Sequence, residues 1–121
     1  GLYPDTISSD LTALGQTFHS LLECMAKFMS VGYSLADVVR ATTSSAARAL
    51  GLADTIGAIA VGREADLTVL DVAEGDFVFT DTTGQEFRGG YGLAPVYTLK
   101  AGDEFAPGWG THPWGWLPAS A

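Results

Sequence analysis

The sequence is poor in the residues that would point to several common functions. It has one cysteine, Cys24, so no disulfide can form within the chain. That agrees with a reducing compartment, and a cytoplasmic location is the expectation. Basic residues are scarce, with six Lys and Arg against fourteen Asp and Glu, for a formal net charge of −8. A surface this acidic repels phosphate backbones and anionic lipid, so neither nucleic acid nor membrane is an expected partner. No apolar run is long enough to span a bilayer. The first ten residues lack the basic start and apolar stretch of a secretion signal. The chain opens at Gly1 directly into a strand-like segment, which reads as a cut edge: a processed product, a truncated chain or an incomplete gene. No Gly-x-Ser-x-Gly elbow surrounds Ser8 or Ser9. Gly89-Gly90-Tyr91-Gly92 lacks the lysine and the following helix of a phosphate-binding loop, and reads as an ordinary loop.

What is present can build a core. Of 121 residues, 47% are hydrophobic and 17% charged, a globular composition of single-domain length. Residues 2–10 form a short extended segment, ending in the polar string Ser8-Ser9-Asp10, and a polar loop follows over 12–17. From Phe18 the spacing becomes helical: Phe18, Leu21, Leu22, Met25, Phe28 and Met29 recur at steps of three and four, and Gly32 supplies a stop. Cys24 falls among these apolar residues and reads as a small buried hydrophobe rather than a nucleophile. Ser34 with Asp37 makes a capping pattern for a second helix, whose inward face is Leu35, Val38 and Val39. Thr43 or Ser44 caps a third over 45–50, ended by Gly51. Arg40 and Arg48 face solvent or meet carboxylates. These helices carry too little apolar surface to stand alone.

After Gly51 the pattern changes to strands. Gly57 to Gly62 is a short strand or a turn between two glycines. Residues 65–72 give the clearest strand, β-branched and apolar, with Ala65 small where it starts against the helices and Asp66 placed to accept backbone N–H groups. Phe77 and Phe79 alternate with Val78 and Thr80, and Thr83-Gly84 is a turn signal, so 77–80 and 85–88 form a hairpin. Residues 95–100 give a further strand. The tail from Ala106 is rich in Gly, Pro and Trp; Trp109, Trp114 and Trp116 read as a strap over the β unit, with a ligand-stacking surface as the rival. The chain divides into an extended segment and helices at 1–50, a β unit at 51–105 and the tail at 106–121.

One long string has a familiar order. Ala41-Thr42-Thr43-Ser44-Ser45-Ala46-Ala47-Arg48-Ala49-Leu50-Gly51-Leu52 is followed by Gly57-x-Ile59-x-x-Gly62-x-x-Ala65-Asp66-Leu67-x-Val69-Leu70-Asp71. Together with Ile7-Ser8-Ser9-Asp10 it resembles the C-terminal part of the metal-dependent amidohydrolases, with the dihydroorotase-like and deacetylase groups nearest. The resemblance spans about residues 2–100. It implies an α/β class: the last strand and closing helices of a (β/α)8 barrel, with part of a small β-sandwich, so that the isolated chain would look α+β. Relatives complete the sandwich with N-terminal strands, and its edge would here be open. The helix-to-strand string itself reads as structural.

Local sequence leaves Asp10 open between capping the next helix or turn and doing chemistry. The resemblance favours chemistry. An aspartate ending the eighth barrel strand binds a divalent metal, here expected to be zinc (one or two ions), and acts as general base and acid on metal-bound water. Asp10 is thus the expected metal ligand and catalytic residue. The remaining ligands would lie outside this chain: His19 reads as a cap or packing residue, His112 as part of the tail, and neither stands in a ligand motif. Related deacetylases follow the aspartate with an apolar residue and a histidine, whereas here Asp10-Leu11 leads to Thr12. The expected activity is hydrolysis of amide or cyclic amide C–N bonds in a small-molecule substrate, with the 121-residue chain inactive alone and a homo-oligomer compatible with it. The rival is a non-catalytic structural or interaction module completed by a partner chain; a carbohydrate-binding β domain using the tryptophans is a weaker third.

Overall fold

The computed structural model describes residues 3–9 and 20–105. Asp10, the loop at 12–17, Phe18, His19 and the tail with His112 and its three tryptophans lie outside the described residues. Three helices precede a three-stranded antiparallel sheet: α1 Leu21–Ser30, α2 Leu35–Thr42, α3 Ser44–Ala49, β1 Leu67–Thr80, β2 Glu86–Lys100 and β3 Asp103–Phe105, in sheet order β1-β2-β3. No strand is assigned within residues 3–9. The expected strand there has no ladder to join, because a strand's backbone groups need a neighbour, and the only sheet among the described residues is built elsewhere.

The helices start where side chains can take up free N–H groups. Ser20 caps α1 by accepting from the Glu23 amide at 3.2 Å. Ser34 and Asp37 form the expected reciprocal capping box on α2. The α3 start differs: Thr43 makes no side-chain cap, and its hydroxyl instead donates back to the Val39 carbonyl at 2.6 Å. The inward face of α2 is also narrower than its pattern suggests. Val38 and Ala41 are buried, while Leu35 and Val39 remain exposed, because no element among the described residues covers that flank.

The two strand segments expected at 65–72 and 77–80 are one strand, β1, and its partner β2 absorbs both the expected strand at 95–100 and the glycine run at 89–92. The pair is a long hairpin with two irregularities, one between Val69 and Leu70 and one between Glu74 and Phe77. The first leaves Val96 without a partner beside Pro95; a bulge lets a strand tolerate proline's missing donor. The hairpin turn lies at Thr83-Gly84 as expected. Asp81 organises it, its Oδ1 accepting from the Thr83 amide, the Thr83 hydroxyl and the Gln85 amide at 2.8, 2.7 and 2.9 Å, with Gly84 at φ +85°.

Glycine 89 explains why the glycine run is strand and not loop. A Cβ there would lie 2.8 Å from the Ser30 Cβ and 2.9 Å from a Phe79 ring carbon. The residue is small because α1 and Phe79 come down on it, not because the chain turns. The core forms at that contact. Phe77, Phe79 and Leu93 from the sheet are buried with Met25 and Ala26 of α1, Val38 and Ala41 of α2, and Ile7. Ring contacts at 6.4 Å between Phe77 and Phe79 and 5.7 Å between Phe79 and Phe87 extend it along the hairpin. Each fully buried aromatic or aliphatic side chain contributes about 1.5–3 kcal/mol. Ala65, expected to pack where the strand meets the helices, is exposed. Asp66 beside it accepts from the Ala101 amide at 2.8 Å and the Lys100 ammonium at 2.6 Å, fastening β1 to the β2–β3 turn.

The segment from Gly57 to Gly62 is turn rather than strand. Both glycines have left-handed backbones, at φ +82° and +86°. Only Gly57 is also pressed from outside: a Cβ there would sit 2.5 Å from the Ala47 Cβ and 3.0 Å from the Thr43 carbonyl oxygen, whereas nothing lies within 4 Å at Gly62. Alanine at either position carries the left-handed penalty of about 1–2 kcal/mol. At Gly57 it also overpacks α3, for about 1–3 kcal/mol more. Urea unfolding should therefore rank Gly57→Ala clearly below Gly62→Ala in stability; equal midpoints would show that the α3 contact is not tight.

Candidate functional site

The candidate site is approached along the segment of residues 3–9, which leads to Asp10. Its first part is held by rings. Tyr3 packs edge-on to Tyr33 at 4.9 Å, and Tyr33 packs edge-on to Phe28 at 5.3 Å, so an aromatic row links the segment to α1. Ile7 is buried in the core, and its amide donates to the Ala41 carbonyl near the end of α2 at 3.2 Å. One residue on, the Cys24 thiol of α1 donates to the Ser8 carbonyl at 3.6 Å. Burial raises the pKa of this half-buried thiol above its ordinary value, outweighing the attraction of the Lys27 charge. Cys24 therefore stays protonated and keeps its donor at neutral pH. The sequence reads Cys24 as a small buried hydrophobe; it is half-buried against the core, and its polar contact is one that no local pattern signals.

A second feature was not visible in the sequence as a site. Glu23 is buried at 4% exposure, and its carboxylate pairs with the Lys27 ammonium at 3.2 Å. Lys27 also donates to the Thr80 carbonyl at 2.9 Å. The spacing of four residues on one helix was the available signal. The pair fastens α1, which carries Cys24, to the end of β1.

Among the described residues no group of three or more His, Cys, Asp or Glu side chains lies together in a way that could hold a metal ion. A stable site needs about three protein ligands, so the described residues do not form one by themselves. A cavity of about 210 Å³ opens between Tyr3, Asp5 and α2. Its Asp37 and Arg40 are committed to each other at 3.0 Å, and the Ser34 hydroxyl holds the Asp37 carboxyl below the usual range, so this pair is poorly suited to exchanging protons. Arg48 meets the Ser45 hydroxyl at 3.0 Å. No helix of the described residues is long and apolar enough to cross a membrane.

The model of the amidohydrolase family matches residues 2–103. A deacetylase from Agrobacterium fabrum is 32% identical over 108 residues, covering 88% of this chain and 26% of the relative. A deacetylase from Brucella anthropi is 31% identical over 101 residues, covering 82% of this chain and 25% of the relative. The chain thus spans about a quarter of the length of these curated relatives. Among solved structures, a dihydroorotase superposes with a TM-score of 0.76 at 32% identity, over 87% of this chain and 28% of that one. An adenine deaminase shares the fold, with a TM-score of 0.67 at 24% identity over 70% of this chain and 23% of that one.

Removing Lys27 takes one charged partner from the buried Glu23 carboxylate. Lys27→Met should lower unfolding free energy by about 1.5–3 kcal/mol, and a double change of Glu23 and Lys27 to Met should recover most of that loss. Urea titrations of the three chains check this. A loss below about 1 kcal/mol for Lys27→Met would mean that the pair does not fasten α1 to the sheet.

Proposed function

The chain belongs to the amidohydrolase family, and from that membership we propose that it is the C-terminal portion of a metal-dependent hydrolase of amide or cyclic amide C–N bonds. The observation that carries this reading is the family match over residues 2–103, which takes in both Ile7-Ser8-Ser9-Asp10 and the Ala47-Arg48-Ala49-Leu50-Gly51 string. The deacetylase and dihydroorotase relatives support a C–N bond as the target. Exposed apolar side chains support a chain made to lie against more protein: Leu50, Ile59 and Val61 are 70%, 88% and 107% exposed. The outer edge of β1 has no ladder partner among the described residues, as an incomplete sandwich would leave it.

In this reading residues 3–9 correspond to the last barrel strand, and Asp10 stands at the rim where barrel enzymes gather their reactive groups. A bound divalent metal, zinc in our reading, would supply Lewis-acid activation of a water near neutral pH. Asp10 would be one of its ligands, and its carboxylate would take a proton from the attacking water and return it to the leaving nitrogen. That proton lets the nitrogen leave as a neutral group rather than as a high-energy anion, which lowers the barrier to C–N cleavage. The other ligands come from outside this chain, so the 121 residues have no hydrolase activity by themselves.

Asp10→Asn in the full-length protein should lower kcat about 10²–10⁴-fold against an N-acyl or cyclic amide substrate, with the melting temperature within a few degrees of wild type. A variant that turns over at the wild-type rate would remove Asp10 from proton transfer.

A further inference from the structure

The cavity beside α2 takes no part in the hydrolysis described above. It encloses about 210 Å³ between residues 3–5, Tyr33, α2 and the start of α3. Part of its lining is aromatic. Tyr3 and Tyr33 meet edge to face with centroids 4.9 Å apart, and Phe28 of α1 braces Tyr33 at 5.3 Å. Three charged side chains complete the polar lining: Asp5, Asp37 and Arg40. Two of them answer each other. Arg40 donates to one Asp37 oxygen at 3.0 Å, and the second oxygen accepts from the Ser34 amide at 3.2 Å and the Ser34 hydroxyl at 2.6 Å. Asp5 has no hydrogen-bond or ion-pair partner among the described residues. The cavity is therefore left with one uncommitted carboxylate in the same lining as two tyrosine rings. The backbone of Asp5 is restrained on both sides. Pro4 before it has a fixed φ, and Ile7 two residues on is buried and bonded to the Ala41 carbonyl at 3.2 Å.

We propose that this cavity binds a small organic cation, an alkylammonium or guanidinium group, with Asp5 as its counter-charge and the rings of Tyr3 and Tyr33 as its walls. Aromatic faces carry negative potential and attract a cation within about 6 Å. A carboxylate in the same lining adds a charge-assisted hydrogen bond. An anion would meet Asp5 and a chain of net charge −8. Arg40, the one cationic side chain of the lining, is already held by Asp37. The volume limits the size. It falls below the roughly 300–1,000 Å³ of sites for drug-sized ligands, so the ligand is a single small cationic group. The site uses neither Asp10 nor a metal, and it stands independently of the hydrolase reading.

The test is a ligand-detected NMR titration of the full-length protein with methylguanidinium, and with methylurea as a probe of similar shape and no charge. It is repeated for Asp5→Asn, which removes the counter-charge, and for Tyr3→Leu, which keeps an apolar side chain and removes a ring. Both positions are exposed, so both variants should keep the wild-type melting temperature within a few degrees. The expected result is saturable binding of methylguanidinium, at least about tenfold weaker binding of methylurea, an affinity about 10-fold or more lower in Asp5→Asn, and one about 2–5-fold lower in Tyr3→Leu. Equal binding of the two probes overturns the proposal, as does an unchanged affinity in Asp5→Asn. So does the lack of saturable binding, the result expected if a basic side chain from elsewhere in the full-length protein already fills the cavity.

Discussion

The close approach of α1 to the hairpin is the contact on which the rest of the fold depends. It is possible because Gly89 presents no side chain where Ser30 and the Phe79 ring descend. With that approach made, Met25 and Ala26 reach Phe77, Phe79 and Leu93, and a single core forms between helices and sheet. Lys27 completes the joint by reaching the Thr80 carbonyl from a mostly buried position. The sheet would otherwise be a two-stranded ribbon with a three-residue third strand, and such ribbons are marginal in water. Helices α2 and α3 are short, at eight and six residues, and would not persist without the same core.

The functional consequence follows from where α1 and α2 lie. Together they receive the segment of residues 3–9: α2 through Ala41, α1 through Cys24, and the core through Ile7. The fold is thus a cradle for the backbone of residues 3–9. Three carboxylates are held locally, Asp37 on the α2 cap, Asp66 on Lys100 and Ala101, and Asp81 on its turn, and hydrogen bonds hold all three below the ordinary aspartate pKa. Because each is lowered in the folded chain, each stabilises above its unfolded pKa, and that stability is lost as pH falls through the folded values.

Much of this was legible in the sequence where a short-range rule governs. The Ser34–Asp37 capping box, the stops at Gly32 and Gly51 and the turn at Thr83-Gly84 depend on neighbours in the chain, and they stand where the pattern put them. The family likeness was legible for the same reason, as an ordered string. What was misread depends on distant partners. The glycines at 89–92 looked like punctuation, but Gly89 answers to α1, far away in sequence. Leu35 and Val39 fit an inward pattern, but nothing covers them among the described residues. The segment of residues 3–9 is a different case: its extended pattern reads as a strand, and the neighbour it would pair with is not among the described residues. The site was legible only through the likeness: one aspartate has no local signature of catalysis, and the Cys24 contact with Ser8 joins residues sixteen apart.

The central claim is that the carboxylate at position 10 moves a proton in hydrolysis. The pH dependence of kcat/KM in the full-length protein, measured for wild type and for Asp10→Asn, tests it most directly. The account predicts an acidic limb in wild type, where protonation of the base shuts the reaction down, and in the variant a low residual rate without that limb. The same limb at the same height in both proteins would contradict it.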